Sequence, residues 1–582
     1  MLRRALSLLL PDGKEAAGHR ENAINQTQQW LEQDRVTIYG GVVAWEDFRA
    51  RIPLIVKKGS TVTLYQIQGK VWKKQETELG DDFIRNRKRW SYAREAAYKA
   101  WIFRKQFPGL DPDVKICFPN SRFRSTIPQL YEKVAFGKAR REDVESLFVF
   151  VDASRAVEKV LQEVPDHLYL HPYIRGLSMD AQIGRISQLK GRRPDDIPFI
   201  ITESCKSCSF RKKLPGSYGK GGCWEHHLDG DYRDPSSHVY DLIGQGNDRD
   251  SENGRYLQEQ VPLPNEVDRF EKVYDEKRPI ISIRDRRILQ LLVSHGERVP
   301  VEWLKKGLRS CLESIRRPVH FIDFEAATCA LPMDFGDRPY QPVLFQFSCH
   351  TIRKDGRIVH HHWLDTTLKG VHQKEFVKKL LSVPDIDQGT VFQYSPFEKQ
   401  SLNRLFRTYH GQESYDKQVA DGLQRVLNGS SAFGSGRFVD MSRLVRDFYY
   451  NSAMRNGLSL KEVLKSTISV SSFLKSAYNR PENLAGETVR LVRPDGAGEH
   501  PEDPYASIQQ EMRRIDDGSS AMHAWLYTKT PFCGKSERES IQQVLKKYCS
   551  MDTLAMVMIF RHWKNLIDNK EQNRDITVWN KK

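Results

Sequence analysis

The chemistry in this 582-residue chain is concentrated in acids that end apolar segments. Val319-His-Phe-Ile-Asp-Phe-Glu325 is an apolar run closed by Asp323 and Glu325. At i and i+2 on a strand, the two carboxylates leave the same face. Such a pair at the end of an apolar strand is costly unless a cation neutralises it. Hard oxygen ligands of this kind suit Mg²⁺ or Mn²⁺. Gln393-Tyr-Ser-Pro-Phe-Glu398 puts Glu398 just after a short apolar strand, where a helix begins. Tyr548-Cys-Ser-Met-Asp552 sets a phenol and a carboxylate at i and i+4, on one face of a helix. Leu545, Leu554, Ala555 and Val557 make that helix otherwise apolar, which places Asp552 beside the core. Asp440, at the end of Phe438-Val-Asp, reads as structural.

A second set of ligand types lies upstream. Cys205-x2-Cys208, Cys223 and His226 have the composition and spacing of a Cys₃His zinc site, or are buried thiols without metal. Between them, Arg211, Lys212 and Lys213 form a basic loop able to contact phosphates, or a solvated one. Arg85, Arg87, Lys88 and Arg89 precede Trp90 and Tyr92, a pattern that fits a nucleic-acid groove as well as a solvated face. His360-His361-His362 reads as a strand with exposed histidines. No Walker-type phosphate loop is present in the sequence, so nucleotide-driven translocation has no support.

The elements that must position these residues give an α/β pattern. Helices are expected at Ala16 to Glu32, Ser91 to Gln106, 139–163 and 180–190, with strands at Val36–Val43, Ile52–Lys58 and Val62–Val71. Ala96, Ala97, Ala100 and Phe103 share one side of the second helix. A linker is expected at 228–282, then a helical pair across 283–316. Val319–Glu325, Val343–His350, Arg357–Leu364 and Thr390–Tyr394 read as strands, and Val371–Leu381 and Phe397–Thr408 as helices. The stretch 480–505, rich in Pro, Gly and Glu, reads as a long exposed loop before a last helix at about Glu537 to Leu566. The expected lobes are therefore 1–227 and 283–582.

Composition narrows the class. Hydrophobic residues make up 39%, enough for buried cores. No apolar run reaches the length of a membrane-spanning helix, so no membrane partner is expected. Met1–Leu10 is basic then apolar, but Pro11-Asp12 ends it, so it reads as a helix start and not a signal peptide. Nine cysteines are an odd and sparse set for a disulfide framework, which points to a reducing, cytoplasmic compartment. A net charge of +16 points to a polyanionic partner.

The order Asp-x-Glu, a later acid, then Tyr-x3-Asp resembles the DnaQ-like (DEDD) 3′–5′ exonucleases of the tyrosine subtype. Several blocks also resemble a bacterial domain of unknown function found in predicted RecB-family nucleases. They are His320–Ala326, Arg338–His350, Gly457-Leu-Ser-Leu-Lys-Glu-Val-Leu464 and Tyr548–Val557. The resemblance spans about 283–566 and implies an RNase H-like fold. Asp323, Glu325, Glu398 and Asp552 would then hold two divalent cations, with Tyr548 orienting the attacking water. DnaQ-like enzymes usually carry Asn and Asp in the second motif, where this chain has Ser395 and Glu398. The longer glutamate shifts that geometry.

The N-terminal order of helix, strand meander, helix and Cys cluster resembles RecB-like nucleases of the restriction-endonuclease-like PD-(D/E)xK class. The corresponding strands read Arg51-Ile-Pro-Leu-Ile-Val56 and Leu64-Tyr-Gln-Ile-Gln-Gly-Lys70. Pro53, Gln66 and Gln68 stand where the resemblance implies acids and lysine, and neutral amides bind divalent metal poorly. This lobe is expected to hold nucleic acid without cutting it; Glu46 and Asp47 are the nearby acids that could substitute. In relatives of this class such cysteines often bind a 4Fe–4S cluster, though here no cysteine precedes Cys117. The expected activity is two-metal phosphodiester hydrolysis on DNA or RNA. The alternative is a non-catalytic nucleic-acid-binding protein.

Overall fold

The computed structural model describes residues 1–18, 20–74, 76–80, 87–162, 172–192, 208, 279–294, 301–368, 370–410, 416–428, 436–454, 457–484, 486–492, 504–505, 515 and 517–568. The architecture is mixed α/β, with parallel and antiparallel pairing in both large sheets.

The first lobe contains helices α1 (Leu2–Ser7), α2 (Arg20–Leu31), α3 (Arg87–Gln106), α4 (Leu130–Ala135), α5 (Ser154–Gln162) and α6 (Met179–Ser187). Its strands are β1 (Lys14–Glu15), β2 (Arg35–Trp45), β3 (Phe48–Lys58), β4 (Thr61–Ile67), β5 (Pro112–Pro119) and β6 (Phe148–Asp152), hydrogen-bonded in that order. β2, β3 and β4 form an antiparallel meander, and α3 then crosses over to bring β5 parallel to β4. The expected small-residue face of α3 is real: Ala93, Ala96, Ala97, Ala100 and Phe103 pack on Ile52, Ile55, Leu64 and Ile116. Small side chains let that helix lie close to the sheet.

The expected helix over 139–163 is corrected. A one-turn 3₁₀ helix at Arg141–Asp143, strand β6 and helix α5 occupy it. Phe148-Val-Phe-Val-Asp152 is β-branched and aromatic, and β5 offers it an antiparallel partner. β5 itself carried no alternating pattern to announce it, because most of its residues are buried.

The second lobe opens with α7 (Ile283–Ser294), β7 (Glu302–Leu304) and α8 (Lys306–Glu313). The expected helical pair thus includes a strand, which pairs with β13 (Tyr449–Asn451). The main sheet runs β10 (Ile358–Leu364), β9 (Val343–Ile352), β8 (Val319–Ala327), β11 (Thr390–Gln393) and β12 (Phe438–Asp440). β9 is antiparallel to both neighbours, while β11 is parallel to β8 and β12. Helices α9 (Gln373–Leu381), α10 (Phe397–His410) and α11 (Lys417–Leu427) cover one face; α12 (Met441–Phe448), α13 (Leu460–Val470), α14 (Ser472–Ala477) and α15 (Gly518–Thr528) follow. The last helix, α16 (Lys535–Asp568), crosses the opposite face. β8 is therefore read on both sides. Ile322 and Phe324 meet Phe376 and Leu402, whereas Val319 and Phe321 meet the α16 layer.

Two expectations about exposure are also corrected. Of the expected loop 480–505, residues 485 and 493–503 lie outside the described residues; the rest includes a hairpin of β14 (Pro481–Leu484) and β15 (Glu487–Arg490), and Tyr505 is buried. The β10 histidines are not simply exposed. His360 stacks between His350 and His362, with centroid separations of 4.2 and 5.2 Å. Its Nε2 meets Ser348 Oγ at 2.9 Å, and Ser348 in turn meets Thr553 of α16 at 2.7 Å. Burial, then the adjacent imidazoles, lowers His360 to about 4, so the stack is neutral and couples the sheet to α16.

The lobes interlock. Ser125 and Asp337 bond through their backbones, as do Gln129 with Met333 and Tyr131 with Pro332. Beneath this seam, Lys529 is sealed from solvent beside Asp365, 3.5 Å away, and donates to the carbonyls of Thr367 and Gly370. Glu132 of α4 is buried beside the same ammonium, which opposes the upward pull that desolvation exerts on its carboxyl. Replacing Lys529 with Met strands Asp365 and Glu132 as buried acids without their cation. Lys529→Met is expected to lower unfolding free energy by about 3–5 kcal/mol in urea denaturation.

Candidate metal centre

Period-two geometry places Asp323 and Glu325 on the α16 side of β8, the side of Val319 and Phe321. α16 brings Tyr548 and Asp552 to them, one turn apart on a helix whose middle is entirely buried. Oxygens of Asp323, Glu325 and Asp552 lie within 4.8 Å of one another. Among the described residues this is the only such gathering of three or more acid, histidine or cysteine ligands.

Glu398 comes from the other side of the strand order. β11 runs beside β8, and three residues separate its end from the start of α10, so the first turn of α10 delivers Glu398 to the buried strand ends. Gln393 Oε1 accepts from the Lys399 amide at 3.0 Å, and Ser395 Oγ from the Phe397 amide at 3.2 Å, which shapes that turn. Glu398 is 4% exposed, and its Oε2 has no hydrogen-bond partner. Its charge acts on Glu325, and that of Asp323 acts on it, but it stands outside the three-carboxylate group. The longer arm thus meets the cluster from its edge.

Three further side chains complete the surroundings. Tyr505 donates to Asp552 Oδ1 at 2.6 Å. The Cys549 thiol donates to Asp323 Oδ2 at 3.3 Å. Lys461, in the first turn of α13, lies over the rings of both Tyr548 and Tyr505. None of the three was marked by spacing. Lys461 and Cys549 stood in quoted blocks without a role, and Tyr505 sat in a stretch read as exposed.

Burial first, and mutual repulsion second, govern the electrostatics. Asp323 is raised to about 8 by desolvation and by the Asp552 charge, with the Cys549 hydrogen bond opposing. Glu325 and Glu398 are pushed well above the ordinary carboxylate range for the same two reasons. Asp552 rises less, to about 6, because Tyr505 and Lys461 offset its desolvation. Burial and the same acids push the Tyr548 phenol upward, so it remains protonated and acts only as a hydrogen-bonding group.

The remaining sequence candidates fall elsewhere. Asp440 caps α12, accepting from the Arg443 amide at 3.2 Å and from Ser442 Oγ at 2.7 Å, a structural role as expected. Gln68 Nε2 donates to Glu95 Oε2 at 3.3 Å, and Lys99 of α3 bonds both Gln66 and Glu95. These amides are engaged by one helix and gather no second carboxylate. Pairing of β3 with β4 ends at Leu54, next to Pro53, which has no amide to donate. Glu46 and Asp47 sit at the β2–β3 turn, where Asp47 pairs with Lys190, and do not approach Gln66. Arg87 and Lys88 open α3, and Arg89 is half-buried in its first turn. Cys208 is exposed. Arg85, Cys205, Arg211, Lys212, Lys213, Cys223 and His226 lie outside the described residues.

The fold and site thus define a mixed α/β protein with a buried carboxylate centre. A family model described as Domain of unknown function (DUF2779) matches residues 320–459, from β8 to the cap of α13. That span holds Asp323, Glu325 and Glu398, and stops before Lys461, Tyr548 and Asp552. No curated protein and no solved structure matches the chain.

A pH dependence follows from the raised acids. Asp323 at about 8 and Asp552 at about 6 hold protons when folded that an unfolded chain releases near 3.8. Metal-free stability from these groups is therefore full below about pH 4 and is lost as pH rises toward about 8. Asp323→Asn removes one of them. Its thermal midpoint is expected to exceed that of wild type by a margin that grows across that window, while Mn²⁺ raises the midpoint of wild type and not of the variant. A constant margin in circular dichroism melts at pH 4, 6 and 8 would count against this electrostatic account.

Proposed function

We propose that the protein is a metal-dependent nuclease whose C-terminal lobe is a DnaQ-like, RNase H-like domain acting as a 3′–5′ exonuclease on DNA or RNA. The observation that carries this reading is the convergence of Asp323, Glu325 and Asp552 within 4.8 Å at the end of a central strand. A strand order of β10-β9-β8-β11-β12, with the acids on the middle strand, supports the RNase H-like assignment. The N-terminal lobe, on this reading, is a restriction-endonuclease-like fold that has given up its acids and holds nucleic acid.

The donor set fits divalent metal. It is all carboxylate oxygen at its centre, and it carries an unpartnered buried oxygen on Glu398. Hard cations such as Mg²⁺ or Mn²⁺ match those donors. Bound there, such ions would supply charge stabilisation for phosphodiester hydrolysis. Asp323, Glu325 and Asp552 would hold them, with Glu398 closing the site from the α10 side. Tyr505 fixes Asp552 through its hydrogen bond. Tyr548, kept protonated by burial and the acids around it, orients water by donating or accepting a hydrogen bond and takes no proton. The net charge of +16 draws a polyanion toward a centre that would otherwise repel it.

Asp323→Ala and Glu325→Ala are each expected to reduce Mn²⁺-dependent loss of a 3′-terminal nucleotide from a labelled oligonucleotide by at least about a thousandfold. Parallel DNA and RNA substrates, blocked at either end, assign substrate and polarity. A wild type that binds these oligonucleotides in a salt-dependent way yet leaves all of them intact would instead identify a non-catalytic nucleic-acid-binding protein.

A further inference from the structure

Gln346 of β9 stands directly opposite Glu325 of β8. Paired residues of antiparallel strands share a face, with Cβ atoms about 4.5–5.5 Å apart, so these two side chains leave the sheet together. The register slips just beyond that pair, with Phe345 as the extra residue on β9. Such a bulge re-aims side chains, and here Phe345 and Gln346 both fall on the α16 side. Gln346 is fully buried, and its Nε2 donates to the Leu545 carbonyl of α16 at 2.8 Å. A carbonyl can only accept, so the amide nitrogen must face Leu545 and Oε1 must face away from it. That oxygen has no hydrogen-bond partner among the described residues. Glu398 Oε2 is in the same condition on the β11 side of Glu325. Glu325 thus has a buried acceptor without a donor toward each neighbouring strand. A tie between β9 and α16 explains the donor of Gln346 and leaves its acceptor unexplained, although a buried acceptor normally finds a partner.

We infer that Gln346 Oε1 is a neutral oxygen donor to the divalent cation held by Glu325, which makes Gln346 a further residue of the metal centre. This inference rests on the metal-dependent reading above. Side-chain amide carbonyls are ordinary ligands of hard cations. The acids here already repel one another, and an amide adds a donor atom without adding charge. The Leu545 carbonyl fixes the amide plane, as an outer partner orients a ligand. The pairing with Glu325 depends on strand register, which is why no spacing within β9 marks Gln346.

Calorimetric titration of the full chain with Mn²⁺ tests this role. Gln346→Leu removes the oxygen and is expected to weaken Mn²⁺ binding by about tenfold or more. Gln346→Asn keeps the amide but draws its oxygen back by one methylene, and is expected to weaken binding as well. It carries the test if Gln346→Leu does not fold. Thr553→Val cuts the contacts of α16 with Ser348 and His350 and removes no oxygen paired with Glu325. That variant is expected to bind Mn²⁺ as wild type does. Wild-type Mn²⁺ affinity in the Gln346 variants overturns the inference. An equal loss in Thr553→Val also overturns it, because the effect then belongs to the placement of α16. A wild type that binds no Mn²⁺ rejects the metal centre and this inference with it. Titration reads binding and not turnover, so a wild type that binds Mn²⁺ yet cleaves nothing rejects only the nuclease reading, and the Gln346 variants still decide.

Discussion

Like charges forced together out of water are the constraint around which the C-terminal lobe is built. Asp323, Glu325 and Asp552 share one small volume, and Glu398 adds its charge from the edge. Each would be more stable alone in solvent. They are held together by apolar packing that has nothing to do with charge. Phe321 stacks on Phe392 of β11 and meets Phe560 of α16 edge-on, joining the strand that bears two acids to the helix that bears the third. Tyr505, Cys549 and Lys461 then relieve part of the repulsion, two by donating hydrogen bonds and one by its charge. What remains of the repulsion, together with burial, keeps Asp323 and Asp552 above the ordinary carboxylate range.

A site that stores repulsion needs a rigid frame, and the packing around α16 provides it. The helix meets the sheet through polar contacts as well as apolar ones. Gln346 donates to the Leu545 carbonyl at 2.8 Å, and His350 meets Thr553 at 2.7 Å. At its far end, His562 joins Glu302 at 2.7 Å, to which Tyr449 also donates, binding α16 to β7 and β13. Each of these contacts spans a long sequence separation, so α16 cannot slide by a turn without stranding several buried polar groups. Tyr548 and Asp552 are thereby held in the one register that meets β8.

The N-terminal lobe is joined to this frame and is not an appendage on a linker. The segment around Ser125–Tyr131 bonds along the Met333–Asp337 stretch, and Lys529 with Asp365 and Glu132 closes the seam below it. Within that lobe, Gln66 and Gln68 are occupied by Lys99 and Glu95. An amide there keeps a hydrogen-bonding network that a carboxylate pair would have charged. The sheet packs against α3, whose first turn carries Arg87, Lys88 and Arg89 in sequence.

Local pattern made the C-terminal acids legible. Spacing of two on an apolar strand, and of four on an apolar helix, dictates which side chains share a face before any tertiary contact forms. The same rule made the face of α3 readable. It failed where partners are distant. β6 was taken for helix because only β5 makes it a strand, and the β10 histidines looked exposed until β9 and α16 covered them. Sequence alone therefore determined which carboxylates and which phenol could act together on their own elements. Only the tertiary structure decided that β8, α10 and α16 meet, that Tyr505 is buried against Asp552, and that Lys461 supplies the opposing charge. Periodicity is a property of the backbone over a few residues, whereas the meeting of charges depends on packing between segments more than two hundred residues apart.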